Sequence, residues 1–251
     1  MKNLATLIAL AALFTACNQA PETEKTVVNT DSIPQASHPE WAKSANIYEV
    51  NIRQYTPEGT FKAFEKHLPR LKAMGVDILW FMPIQPIGKL NRKGTLGSYY
   101  SISNYEEVNP EFGTLEDFNR VVDSAHALGM KVILDWVANH TAFDHNWVTI
   151  RPDFYTKDAA GKSPIVALGN DGKPTDWTDV ADLDYNQPDL TGAMTEAMRF
   201  WVAGSKIDGF RCDMAGMVPT AFWEYAIPQL KLTNPNLFFL AEWEDPELMS
   251  V

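Results

Sequence analysis

Two kinds of apolar spacing alternate along the chain. Short runs rich in β-branched and aromatic residues, NIYEVNI (46–52), VDILWFMPI (76–84), KVILDWV (131–137), IDGFRCD (207–213) and NLFFLAE (236–242), are bounded by polar residues or glycine and predict β-strands. Between them the apolar positions fall three and four apart. In TFKAFEKHLPRLKAMG (60–75), Phe61, Phe64, Leu68 and Leu71 share a helical face, Pro69 predicts a kink and Gly75 a stop. TLEDFNRVVDSAHALG (114–129) opens on Thr114 as N-cap, with Asp117 in the third position of a capping box, and closes on Gly129. TGAMTEAMRFWVAG (191–204) places Met194, Ala197, Met198 and Trp201 on one face. Strand, helix, strand in repetition predicts a parallel sheet, because parallel neighbours need a crossover long enough to hold a helix. The stretch 141–190, rich in Asp, Gly and Pro, breaks this rhythm and predicts a small subdomain inserted after the third strand.

The N-terminal segment follows neither pattern. MKNLATLIALAALFTAC (1–17) has an early Lys, an apolar stretch too short to span a bilayer, and small residues before Cys17, so it predicts a secretory signal. Its ending, LFTAC, resembles a bacterial lipoprotein signal, which implies acylation at Cys17 and an exported protein anchored in a membrane, facing the periplasm or the cell surface. Residues 18–40 are polar and aperiodic and predict a flexible tether, with the folded part beginning at Trp41.

Charge narrows the partners. A net charge of −11 with a pI near 4.9, and no run of Lys or Arg, excludes phosphate backbones and electrostatic attachment to anionic lipid. Nucleic acid is therefore not an expected partner, and membrane contact is expected only through the lipid anchor. The two cysteines, Cys17 and Cys212, are too few for a disulfide framework or a cysteine metal site.

Parallel strands that end in polar residues put their chemistry at the C-terminal edge of the sheet. Three of the predicted strands do so, in DWVANH (135–140), GFRCDMAG (209–216) and FLAEWED (239–245). Residues two apart on a strand share a face, so Arg211 and Asp213 project together while Phe210 and Cys212 turn to packing. The guanidinium is expected to keep Asp213 ionised, as a nucleophile requires. Glu242, behind an apolar run and ahead of Trp243, is expected in apolar surroundings that keep it protonated, as a general acid requires. Two carboxyls in contrasting environments are the pattern of glycoside hydrolysis. Blander readings stay open at this level: Asp135 as a strand terminator, the Arg–Asp pair as structural, His140 and His145 as loop residues or as ligands of a metallo-hydrolase, and the aromatics as core.

Taken together, the three strand ends resemble the first three signature regions of the alpha-amylase family of glycoside hydrolases. ADLDYNQPDL (181–190) resembles the family's further signature near the end of the subdomain after strand three, and GSYYSISNYEEVNPEFGT (97–114) its segment between strand two and helix two. The resemblance implies a (β/α)₈ barrel of α/β class, with barrel residues 41–140 and 191–251 and subdomain 141–190. It implies Asp213 as nucleophile, Glu242 as acid/base with the two carboxyls about 5 to 5.5 Å apart, Arg211 and His140 as contacts to the cleaved sugar, and Tyr100 stacking on that ring. It also implies a structural calcium held by Asn139 and Asp182. The expected function is a retaining alpha-glucan hydrolase acting on starch or maltodextrins through a covalent glycosyl-enzyme. The alternatives are a transglycosylase of the same family and a non-catalytic, lipid-anchored glycan-binding protein. No counterpart of the family's fourth region, an Asn-His-Asp cluster after strand six, is present. Five predicted strands make an incomplete barrel, so these residues alone are expected to expose an apolar edge at Phe238, Phe239 and Leu240, to be poorly soluble and to be inactive.

Overall fold

The structure is a computed structural model that describes residues 37–244; the signal and lipid-anchor motif ending at Cys17 lies outside the described residues. In chain order the elements are β1 (Ile47–Val50), α1 (Ile52–Tyr55), α2 (Phe61–Glu65), α3 (Leu68–Ala73), β2 (Ile78–Phe81), α4 (Leu115–Ala127) and β3 (Lys131–Val137). There follow β4 (His140–Ala142), α5 (Asn146–Ile150), β5 (Val180–Asp182), α6 (Pro188–Phe200), β6 (Gly209–Asp213), α7 (Thr220–Lys231) and β7 (Phe238–Ala241). Strands β1, β2, β3, β6 and β7 form one sheet in that spatial order, and every neighbouring pair is parallel. Spatial order follows chain order, so each crossover returns to the adjacent strand, as in a barrel wall. Strands β4 and β5 pair antiparallel in a separate small sheet and build the inserted subdomain.

Burial follows from position in this sheet. Strand β3 is central, flanked by β2 and β6, and is buried at every residue from Val132 to Val137. Helix α4 covers the sheet with Phe118, Val121, Val122 and Ala125, all fully buried. Its start is fixed by the expected capping box, in which Thr114 Oγ1 accepts from the Asp117 N–H at 3.2 Å and Asp117 Oδ2 accepts from the Thr114 N–H at 2.9 Å.

Four boundaries differ from the sequence expectation. Pro69 does not kink a continuous helix; the chain breaks at Lys66–His67, and Pro69 sits in the first turn of α3, where a missing N–H costs nothing. Likewise α6 begins at Pro188 and not at Thr191, again with proline in the first turn. Helix α7, which carries Pro228 in its interior, had no counterpart in the sequence expectation. The tether does not extend to residue 40. His38 and Trp41 pack on Phe238 with ring centroids 5.9 and 5.7 Å away, and Lys231 Nζ donates to the Ser37 carbonyl at 2.6 Å. These contacts partly cover the apolar edge expected at β7, whose residues Phe238, Phe239 and Leu240 are half-buried.

Where β6 meets β7 only glycine fits. A Cβ on Gly209 would lie 1.8 Å from the Phe238 carbonyl oxygen. Substituting Gly209→Ala is expected to push β7 off β6 and to cost about 1–3 kcal/mol, the range for overpacking a fitted site, as read by urea unfolding; an unchanged midpoint would refute it.

Candidate active site

Register brings the acids together. In the β3–β6 ladder Asp135 stands opposite Arg211 and Val137 opposite Asp213, while Cys212 stands opposite Ala241 in the β6–β7 ladder. Phe210 and Cys212 are buried in the core, so the alternation of β6 leaves Arg211 and Asp213 on the other side. Glu242 follows β7 directly, and its backbone is held by Cys212 and Ala215: the Glu242 N–H donates to the Cys212 carbonyl and the Ala215 N–H to the Glu242 carbonyl, each at 3.0 Å. Gly216 leaves room for the Trp243 ring, which a Cβ there would meet at 2.2 Å.

Arg211 is the hub. Its Nη1 donates to Asp135 Oδ1 and Oδ2 at 2.9 and 3.1 Å and to Asp213 Oδ1 at 2.8 Å, and its Nη2 lies 2.6 Å from Glu242 Oε1. The guanidinium carbon sits 4.9 Å from the Trp80 ring centroid. Asp135, which the sequence left as a candidate strand terminator, is fully buried and also accepts from Trp80 Nε1 at 3.1 Å and from the Tyr100 hydroxyl at 3.3 Å. It was missed because its role depends on the cross-strand partner; the one sequence signal was an acid inside an otherwise apolar strand.

One cation faces three carboxylates here, and burial decides the balance. Desolvation pushes Asp135 up to about 7, with Arg211 acting against it and Asp213 adding to the rise. Desolvation likewise pushes Asp213 up to about 6, opposed by Arg211 and reinforced by Glu242. Arg211 thus offsets only part of the desolvation, and Asp213 lies above the usual carboxylate range where the sequence reading expected the guanidinium to dominate. The expectation for Glu242 needs correction. Its side chain is 44% exposed, and its carboxyl meets Arg211 and the Met214 N–H (3.0 Å) in place of apolar walls. It shares Arg211 with Asp213, which takes Nη1 at 2.8 Å while Glu242 lies 2.6 Å from Nη2.

These groups open into a cleft of about 410 Å³ shared with Tyr100, His140, Trp177, Asp179 and Lys93. Thus Tyr100, His140, Arg211, Asp213 and Glu242 all line one cavity. His140 is 4% exposed, and burial lowers it to about 4, so it is neutral at pH 7; its Nδ1 faces the Asn139 amide at 3.2 Å. Tyr100 is held as a phenol by burial and by the neighbouring Asp135. His145 lies apart from this cleft, packed against Tyr105 and Trp147 with its Nδ1 accepting the Trp147 N–H at 3.0 Å. The metallo-hydrolase pairing of His140 and His145 is not assembled, and no group of three His, Cys, Asp or Glu suited to a metal occurs among the described residues.

Asn139 and Asp182 do share a second cleft, of about 550 Å³. Both Asp182 oxygens are already engaged, Oδ2 by the Thr156 hydroxyl at 2.6 Å and Oδ1 by the Leu168 N–H at 2.9 Å. A hard cation takes six to eight oxygens. As arranged, these residues do not form that shell.

Five parallel strands in chain order, with Asp213 and Glu242 converging on Arg211 at their C-terminal edge, form part of a (β/α)₈ barrel wall. The family model for the alpha amylase catalytic domain matches residues 25–249, and the chain belongs to the alpha-amylase family. Among solved structures, an alpha-amylase from Lactobacillus plantarum is 43% identical with a TM-score of 0.75, covering 82% of this chain and 46% of that one. A noncanonic maltogenic alpha-amylase from Thermotoga neapolitana is 39% identical with a TM-score of 0.75, covering 83% and 48%. Among curated proteins, an alpha-1,4-glucan:maltose-1-phosphate maltosyltransferase of Cereibacter sphaeroides is 32% identical over 245 residues, 89% of this chain and 40% of that protein. The chain thus spans less than half the length of these relatives.

Proposed function

We propose that the protein containing these residues is a retaining alpha-glucan hydrolase. The observation that carries this reading is the Arg211 hub, which fixes Asp213 and Glu242 side by side in a cleft walled by Tyr100 and His140. Asp213 Oδ attacks the anomeric carbon while Glu242, having taken up a proton through its solvent-exposed side, gives that proton to the departing glycosidic oxygen. Glu242, now a carboxylate, takes a proton from water, which breaks the Asp213–sugar bond and restores the starting configuration. The Asp of the family's fourth region, in the Asn-His-Asp cluster after strand six, has no counterpart among the described residues.

The rival reading, transfer to a sugar hydroxyl in place of water, is favoured by the maltosyltransferase relatives; the more similar solved amylases favour hydrolysis. NMR of the first product from a maltooligosaccharide tests both points. Retained α configuration with new reducing ends is expected; an inverted first product refutes the mechanism, and elongated oligosaccharides in place of reducing ends refute hydrolysis. The acid limb of kcat/KM is expected near pH 6, because Asp213 must be ionised to attack and loses that state below about 6. A limb below pH 4.5 would show that Asp213 is not the group titrating.

A further inference from the structure

We infer that Trp177 is a sugar platform for the ring adjoining the cleaved one, and that Lys93 is the residue that positions it. This rests on the glucan-active reading above and names a specificity determinant within it.

Trp177 lies in the subdomain, on the turn before β5, and lines the same cleft as Tyr100, Arg211, Asp213 and Glu242. Its ring centroid is 5.6 Å from that of His140, at an interplanar angle of 57°. It remains half-buried, so part of the indole is open to the cleft. An indole beside sugar-binding groups offers a flat apolar surface to the C–H face of a pyranose.

The turn is tied from both sides by the long loop between β2 and α4. Ser101 Oγ donates to the Asp179 carbonyl at 2.9 Å in a buried bond. Lys93 Nζ donates to the Asp176 carbonyl at 2.8 Å and lies 3.7 Å from Asp179 Oδ1, whose side chain is only 6% exposed. Its partners, Asp176 and Asp179, bracket Trp177 in sequence. Within the turn, the Thr178 N–H donates to the Asp176 carbonyl at 2.9 Å and the Val180 N–H to the Trp177 carbonyl at 3.2 Å. A cation that grips both flanks of so tight a turn fixes the ring between them.

The test is titration calorimetry of the whole protein carrying Asp213→Asn, which needs no turnover, with a single-ring glucose-like iminosugar, maltotriose and maltopentaose as probes. Trp177→Ala is expected to weaken both oligosaccharides by about three- to tenfold, the size of one aromatic contact, and to leave the iminosugar unchanged. Trp177→Phe is expected to recover most of the loss, and Lys93→Met to give a weaker version of the same length-dependent pattern. In the active protein the Trp177→Ala loss should appear in KM for oligosaccharides and not in kcat. Equal loss for one ring and for several would mean a general structural role and overturn the inference, as would no loss for any probe. An effect of Trp177→Ala without one of Lys93→Met would overturn the positioning role alone. Failure of the parent to bind any of the probes would instead overturn the glucan-active reading on which the inference stands.

Discussion

Replacing Asp213 by Asn is expected to lower kcat by on the order of 10⁴- to 10⁶-fold, the scale found when a covalent nucleophile is removed, while maltooligosaccharide binding stays measurable. Asn keeps the size of the side chain and an oxygen for Arg211 Nη1, which donates to Asp213 Oδ1 at 2.8 Å, so the cleft keeps its shape. Stability should move the other way. Asp213 has its folded value raised to about 6, mainly by desolvation, so its contribution is fully present below the unfolded value of about 4 and is lost as pH rises through 6. At pH 8 the neutral amide is therefore expected to be more stable than the carboxylate by on the order of 2 kcal/mol. Residual turnover above about one part in a hundred, or a variant less stable than the parent at pH 8, would contradict this account.

Replacing Arg211 by Met is expected to destabilise the fold by about 3–5 kcal/mol at pH 8, the cost of leaving buried charge without its partner. Asp135 and Asp213 carry this effect, being 0% and 9% exposed at the side chain; Glu242, at 44%, is screened by water and adds little. The loss should shrink at pH 5, because both buried carboxyls, already pushed up to about 7 and 6 beside Arg211, are then protonated and need no counter-ion. Urea unfolding at the two pH values reads the difference. Equal loss at pH 5 and pH 8 would mean that Arg211 acts by packing alone.

These effects trace back to features of unequal legibility in the sequence. The five strands were all visible as β-branched and aromatic runs, and the capping box at Thr114 and Asp117 was readable because both partners lie within one turn. Arg211 and Asp213 were readable as a pair because strand alternation is a local rule. Asp135 was not, since nothing in DWVANH says which residue faces it; the β3–β6 register supplies Arg211. Pro69 misled, because a proline's effect depends on its position relative to a helix start that tertiary packing helps to set. Ser37 and His38 read as tether because their partners, Lys231 and Phe238, lie some two hundred residues away along the chain.

What the sequence determined by itself was the alternation of strands and helices, and with it the parallel sheet, the edge on which acids would gather, and the identity of Asp213 and Glu242 as the pair to watch. Periodicity and capping are properties of neighbouring residues, and they survive without knowledge of the fold. Only the tertiary structure decided how the charges meet. Whether Asp213 is readily ionised depends on how far burial outweighs one guanidinium shared among three carboxylates, and whether Glu242 sits among apolar walls or against Arg211 depends on distances across strand ends. Desolvation and Coulomb energy are set by three-dimensional proximity, which order along the chain does not record.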